Sequence, residues 1–130
     1  MTSVLNVDSI AAKDGTSPVE LTKQQAAKAY VLFNGTSTLA IRKSFNCSSV
    51  TDNDTGDYRP NWTSVFDSVN YINAGSCIGS PETNGGTLAT LFGSGDVGFA
   101  AGSVDLSTRD ESGNRFDVSY VHLISFGDLA

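Results

Sequence analysis

Phe116-Asp117-Val118-Ser119-Tyr120-Val121-His122-Leu123-Ile124-Ser125-Phe126 carries the most regular pattern in the chain. Successive side chains of a strand point to opposite faces, so Phe116, Val118, Tyr120, His122, Ile124 and Phe126 share one face. Asp117, Ser119, Val121, Leu123 and Ser125 share the other. The first face is apolar apart from the histidine and the second is half apolar. A strand of this kind belongs in the middle of a sheet, or in a sheet whose outer face meets another chain. Val121 and Leu123, on the mixed face, are therefore the candidate subunit interface. Val97 to Leu106, joined through the turn residues Glu111-Ser112-Gly113-Asn114, is the predicted hairpin partner.

Working toward the N-terminus, further strands announce themselves by short apolar runs closed by turn residues. Tyr71 to Ile78 reads as a strand, and after it Gly79 to Gly86, with Pro81 and the Gly85-Gly86 pair, reads as a polar loop. Tyr30-Val31-Leu32-Phe33 ends at Asn34-Gly35, a strong hairpin turn signal, and Leu39-Ala40-Ile41 resumes beyond it. Phe45 to Val50 and Tyr58 to Phe66 form a second hairpin about the polar turn Thr51 to Asp57. Gly56 is the only glycine of that turn and is expected to take the positive φ that short hairpins require. About seven short strands at this spacing predict an all-β, jelly-roll-like β-sandwich over residues 29–130.

Residues 1–28 differ. Leu5 and Val7 alternate with polar neighbours, Ile10 follows, and Asp14-Gly15 and Ser17-Pro18 punctuate the stretch. This predicts an extended N-terminal arm with Leu5, Val7 and Ile10 as apolar assembly anchors. Thr22-Lys23-Gln24-Gln25 has the form of a capping box, and with Ala26-Ala27-Lys28-Ala29 it predicts a short helix near 22–29; the alternative is an arm extended throughout.

Composition bounds the function. The chain has 130 residues, room for one domain. Only 17% of residues are charged, so much of the polar surface is Ser, Thr, Asn and Gly. Net charge is −6, and after Arg59 only Arg109 and Arg115 are basic, which leaves no stripe for phosphates and argues against nucleic-acid binding. No apolar run is long enough to cross a bilayer and no signal peptide is legible, so synthesis in the cytoplasm without membrane insertion is expected. In that setting Cys47 and Cys77 are expected as reduced, buried thiols, and the sequons at Asn34, Asn46, Asn53 and Asn61 as unmodified.

Residues that carry chemistry elsewhere have structural readings here. His122, the single histidine, sits among apolar neighbours and suits a core or interface position better than a general base or a ligand. Asp52, Asp54 and Asp57 suggest a calcium loop, but glycine stands fifth where an EF-hand needs it sixth, and the twelfth position is Thr63. Gly93-Ser94-Gly95-Asp96-Val97-Gly98 lacks the Lys-Ser/Thr of a phosphate loop. Tyr30, Tyr58, Trp62 and Tyr71 suggest a sugar platform, against the commoner core role of aromatics in strands. No catalytic residues, metal ligands or cofactor are predicted.

Thr16-Ser17-Pro18-Val19-Glu20-Leu21-Thr22-Lys23-Gln24, followed by Ala26-Ala27-Lys28-Ala29-Tyr30-Val31-Leu32-Phe33-Asn34-Gly35-Thr36 and by Ala40 to Tyr58, resembles in order and spacing a sequence of tail-fibre and other virion structural proteins of tailed phages. The likeness covers residues 16–66 and departs mildly at Tyr30 and Leu32. It implies a virion surface protein, expected in a short tail fibre or spike with other virion proteins and a host surface glycan as partners; the apolar residues on both faces of the Phe116–Phe126 strand predict a homo-oligomer, a trimer. The stretch after Gly79 looks individual to this chain, which makes Ser80, Pro81, Glu82, Thr83 and Asn84 the candidate recognition loop. Two other readings stand beside this one: a capsid decoration protein that staples subunits through its arm, and a stand-alone carbohydrate-binding module.

Overall fold

A computed structural model of the chain describes residues 26–78, 89–92, 99–110 and 112–130. The described residues contain no helix; they form β1 (Ala29–Asn34), β2 (Ala40–Phe45), β3 (Cys47–Asp54), β4 (Asp57–Trp62), β5 (Ile72–Ile78), β6 (Ala89–Phe92), β7 (Phe99–Ala100), β8 (Ser103–Val104), β9 (Leu106–Arg109) and β10 (Tyr120–Phe126). Two antiparallel sheets pack on one another as a β-sandwich. One is four-stranded in the order β2-β1-β10-β5. In the other, β3 lies along one edge of β4, while β9 and β8 succeed one another along the opposite edge, extended by β6 and β7. The anchors Leu5, Val7 and Ile10 and the loop Ser80 to Asn84 lie outside the described residues.

Both hairpins read from turn dipeptides are present, β1–β2 around Asn34-Gly35 and β3–β4. The second turn is tighter than the polar run suggested. The ladder runs on to Asp54↔Asp57, leaving only Thr55 and Gly56 in the loop. The β3 stretch is almost wholly exposed, so its strand conformation comes from hydrogen bonding to β4 rather than from burial of its own side chains.

Three expectations are corrected. Ala29 begins β1 instead of ending a helix, and residues 26–28 are not helical. Ala29, Val31 and Phe33 fill the core and pair with β10, and this tertiary packing overrides the helix preference of an alanine-rich run. Next, β10 pairs with β1 and β5, whereas residues 99–109 belong to the opposite sheet, so the predicted hairpin of 97–106 with 116–126 does not form. Finally, the period-2 pattern does not run unbroken from Phe116, since β10 starts only at Tyr120. Val118 is buried and so are Val121, Leu123 and Ser125; the parity reverses between them, and Val121 and Leu123 lie in the core, 0% and 2% exposed, rather than at a subunit interface.

The core joins Ala29, Val31, Phe33, Val118, Val121 and Leu123 to Tyr58, Trp62, Val104 and Leu106 of the facing sheet and to Phe66 and Tyr71 of the segment between β4 and β5. Phe33 meets Tyr58 edge to face at 5.1 Å between ring centroids, and Phe66 stacks on Tyr71 at 4.1 Å. The buried carboxylates Asp105 and Asp57 have basic partners. Arg59 grips the buried Asp105 through two hydrogen bonds, and Arg115 reaches Asp57 at 2.9 Å.

One end of the sandwich is closed by Tyr58. Its hydroxyl donates to Asp117 Oδ1 at 2.7 Å and lies 3.2 Å from the Gly35 carbonyl oxygen, and the same carboxylate oxygen accepts the Gly56 amide at 2.7 Å. Gly35 must lack a side chain because a Cβ there would collide with Tyr58 Oη and come within 2.7 Å of its Cζ. At Gly56, φ is +60°, and a Cβ would stand 2.6 Å from both Phe116 N and Thr108 O. Left-handed backbone and contact with rigid main chain act in the same direction there. Gly56→Val should thus destabilise the protein by roughly 2–4 kcal/mol, whereas Asp54→Ser, on an exposed residue, should stay within about 0.5 kcal/mol. Thermal melts of both variants check this ordering, and a chelator-sensitive melt of the unmodified chain would contradict it.

Burial and the donated bond to Asp117 hold the Tyr58 hydroxyl well above the usual tyrosine range. With its folded-state value raised, the contribution of this group is fully present below about pH 10, where unfolded tyrosine titrates, and is lost as pH rises further. Tyr58→Phe should be less stable by about 1–3 kcal/mol at neutral pH and should lose stability less steeply above pH 10. Denaturant midpoints between pH 8 and 11 measure both effects.

Candidate functional site: the outward face of the four-stranded sheet

Residues paired across neighbouring strands project to the same side of a sheet. Since Val31, Phe33, Val121 and Leu123 face inward, the outward face can be read from the register as rows that cross the strands. Phe45, Tyr30, Ile124 and Ala74 form one row from β2 to β5. Lys43, Leu32, His122 and Ser76 form the next. Tyr120 stands beside Ile78 at one end of the face, and Phe126 beside Ile72 at the other.

This face is apolar although it points to solvent. Ile72 is 70% exposed, Ile78 56%, Phe45 53% and Tyr120 41%. Four large side chains left about half exposed amount to roughly 400 Å² of apolar surface, a size at which a patch on a soluble protein is often functional. Phe45 stacks on Tyr30 at 5.9 Å, and the Arg42 guanidinium lies 3.9 Å above the Tyr120 ring. The rows contain no carboxylate among the described residues, in a chain whose net charge is −6.

Relief is uneven across the face. On β5 the small residues Ala74, Gly75 and Ser76 lie between Ile72 and Ile78, and they border a shallow depression of about 320 Å³ that His122, Leu123 and Ile124 complete. The His122 Nε2 is covered and makes no hydrogen bond. A protruding ring at the β2 edge and a recess at the β5 edge thus occupy the two ends of a single row.

The other sequence candidates separate. Tyr58, Trp62 and Tyr71 are buried and Tyr30 lies on the outward face, so the four do not make a common sugar platform. Asp57 turns inward to Arg115 while Asp52 and Asp54 remain exposed, and among the described residues no group of three His, Cys, Asp or Glu side chains is placed to hold a metal. Cys47 and Cys77 belong to opposite sheets and no disulfide joins them. The sequence singles out Val121 and Leu123 of β10, which face the core, and not Phe45, Ile72, Ala74 and Ile78, which lie on the exposed face. A usable signal was present: Ile72 and Ile78 are six residues apart in one strand, hence on one face, with only small residues on that face between them.

The chain matches no family model, no curated protein and no solved structure.

The two faces of the four-stranded sheet should respond differently to truncation. Leu123→Ala opens a cavity in the core and should cost about 2–5 kcal/mol. Ile72→Ser on the outward face should change the stability of the isolated chain by no more than about 0.5 kcal/mol. Urea unfolding of both variants under dilute conditions makes the comparison, and equal losses would contradict the assignment of faces.

Proposed function

We propose that this chain is a structural component of a tailed-phage virion that works by associating with copies of itself, as a homotrimer, in a surface appendage such as a short tail fibre or spike. The observation that carries the reading is the solvent-facing apolar sheet, where Ile72, Ile78, Phe45 and Tyr120 are each more than two-fifths exposed. Apolar surface of this extent is costly in water and is removed by contact with another chain, at roughly 25 cal/mol per Å² covered. The virion assignment itself draws on the resemblance of residues 16–66.

No catalysis is part of this proposal. The ionisable side chains in and around the core have structural partners, Asp105 with Arg59, Asp57 with Arg115 and Asp117 with Tyr58, and these tie elements together instead of meeting in a cleft. The depression beside His122 is shallow and mostly apolar, which suits a packing contact better than a polar substrate.

Sedimentation of the purified chain at micromolar concentration should give a mass near three times 13.6 kDa. A monomer under those conditions would remove the assembly reading. Gold-labelled antibody on intact particles should decorate the tail; label spread over the capsid shell would assign the chain to capsid decoration instead.

A further inference from the structure

We infer that copies of this chain meet with Phe45 of one seated in the Ala74–Ser76 recess of the next, around a threefold axis that runs parallel to the strands of the β2-β1-β10-β5 sheet. The inference rests on the homo-oligomer proposed above and specifies its contact. It begins from the register. Phe45, Tyr30, Ile124 and Ala74 lie in one row, and so at one height along the strands. A rotation about an axis parallel to the strands preserves that height. It therefore brings the β2 end of a row in one copy to the β5 end of the same row in its neighbour. Large then meets small: the half-exposed Phe45 ring comes opposite Ala74, in the recess that Gly75, Ser76, His122 and Ile124 also line. In the adjoining row the same rotation sets Lys43 against the Ser76 hydroxyl and not against an apolar group. A twofold axis across the strands would do the reverse, setting Phe45 near its own copy and leaving the two recesses to face each other empty.

Strand spacing selects the number of copies. Strands lie about 4.8 Å apart and packed sheet faces about 10 Å apart. Three four-stranded sheets closed edge to edge make a triangle about 19 Å on a side, with each sheet roughly 5.5 Å from the axis. That is close to half the packing distance, so side chains from three faces meet without leaving a pore. Four copies would hold the sheets nearly twice as far from the axis. Two copies packed face to face satisfy the distance but leave the sheet edges uncovered. The β5 edge suits a further strand: its sequence Ile72-Asn73-Ala74-Gly75-Ser76-Cys77-Ile78 has no charge and no proline, and although β6 lies near it, among the described residues its strand ladder is with β10 alone. Uncharged, proline-free edges are the kind that recruit another chain. Corners where β2 of one copy adjoins β5 of the next cover both edges, and the central side chains Leu32, His122, Tyr30 and Ile124 turn toward the axis.

The test uses the full chain with Cys47→Ser and Cys77→Ser, to which Phe45→Cys and Ala74→Cys are added together. Oxidation should link neighbouring copies and end at a covalent species of three chains, while either added cysteine alone should yield no three-chain product. Ala74→Arg, which fills the recess from an exposed position, should weaken association at least tenfold in sedimentation while leaving the circular dichroism spectrum and melting cooperativity of the folded chain intact. Cross-linking that ends at two chains would overturn the threefold arrangement. A chain that still associates undiminished with Ala74→Arg and with Phe45→Ala would overturn this contact while leaving the homo-oligomer standing. A parent chain that is monomeric throughout would instead remove the homo-oligomer itself.

Discussion

The hydrogen bond from the Tyr58 hydroxyl to Asp117 holds together parts of the chain that are far apart in sequence. Tyr58 belongs to β4 of one sheet, Gly35 follows the end of β1 in the other, and Asp117 lies on the approach to β10. Because Asp117 also accepts the Gly56 amide, the β3–β4 turn is held against the start of the segment that becomes the central strand of the opposite sheet. The Tyr58 ring meanwhile packs on Phe33. One side chain thus supplies an apolar contact across the sandwich and a polar lock at its end. The lock demands glycine at position 35, where the ring occupies the space of a side chain, and at position 56, where the backbone is left-handed and presses on Phe116 and Thr108.

This lock also explains where the sequence pattern misleads. Strict alternation from Phe116 to Phe126 would put Val118 and Tyr120 on one face. The chain instead enters the sheet late: Asp117 is held by Tyr58 and Gly56, the Val118 carbonyl accepts the Gly35 amide, and regular pairing begins at Tyr120. One step of irregular backbone at Ser119 suffices to exchange the faces of everything that follows. Alternation reveals two sets of residues without saying which set is inside, and here both sets are apolar enough for either choice. Ser125 reads as an outward residue and is buried, because its hydroxyl bonds the Asn73 side chain on the neighbouring strand.

Local signals were legible where the chemistry was local. Asn34-Gly35 and Gly56 mark their turns because few residues accept those conformations, and both hairpins follow from them. Pairings between segments far apart in sequence were not legible. Nothing in Val97 to Leu106 distinguishes a partner of β10 from a partner of β4; the distinction lies in Val104 and Leu106 packing into the core from the opposite layer. Ala29 shows the same limit, since its alanine-rich neighbourhood favours a helix and only the pairing with Ser125 makes it a strand. The recess on β5 was least legible of all, for it arises when small residues of one strand are set beside His122 and Ile124 of another.

β10 carries two incompatible demands, and it divides them between its two faces. Its Val121 and Leu123 are spent on the core, where the facing layer covers them almost completely. His122, Ile124 and Phe126 remain for the outside, where an isolated domain would be expected to carry charge or hydroxyl groups on alternate positions. The chain does place such groups on other exposed strands: β3 is Cys47-Ser48-Ser49-Val50-Thr51-Asp52-Asn53-Asp54, open to water along most of its length and mainly polar. The contrast between the two sheets is therefore selective, with polar side chains where the edge strand β3 stays wet and apolar ones across the sheet that contains β10. A uniform shortage of polar residues would have left both surfaces alike; among the described residues the outward rows of the β2-β1-β10-β5 sheet hold no carboxylate and are rimmed at β2 by Arg42 and Lys43, whereas β3 is mainly polar.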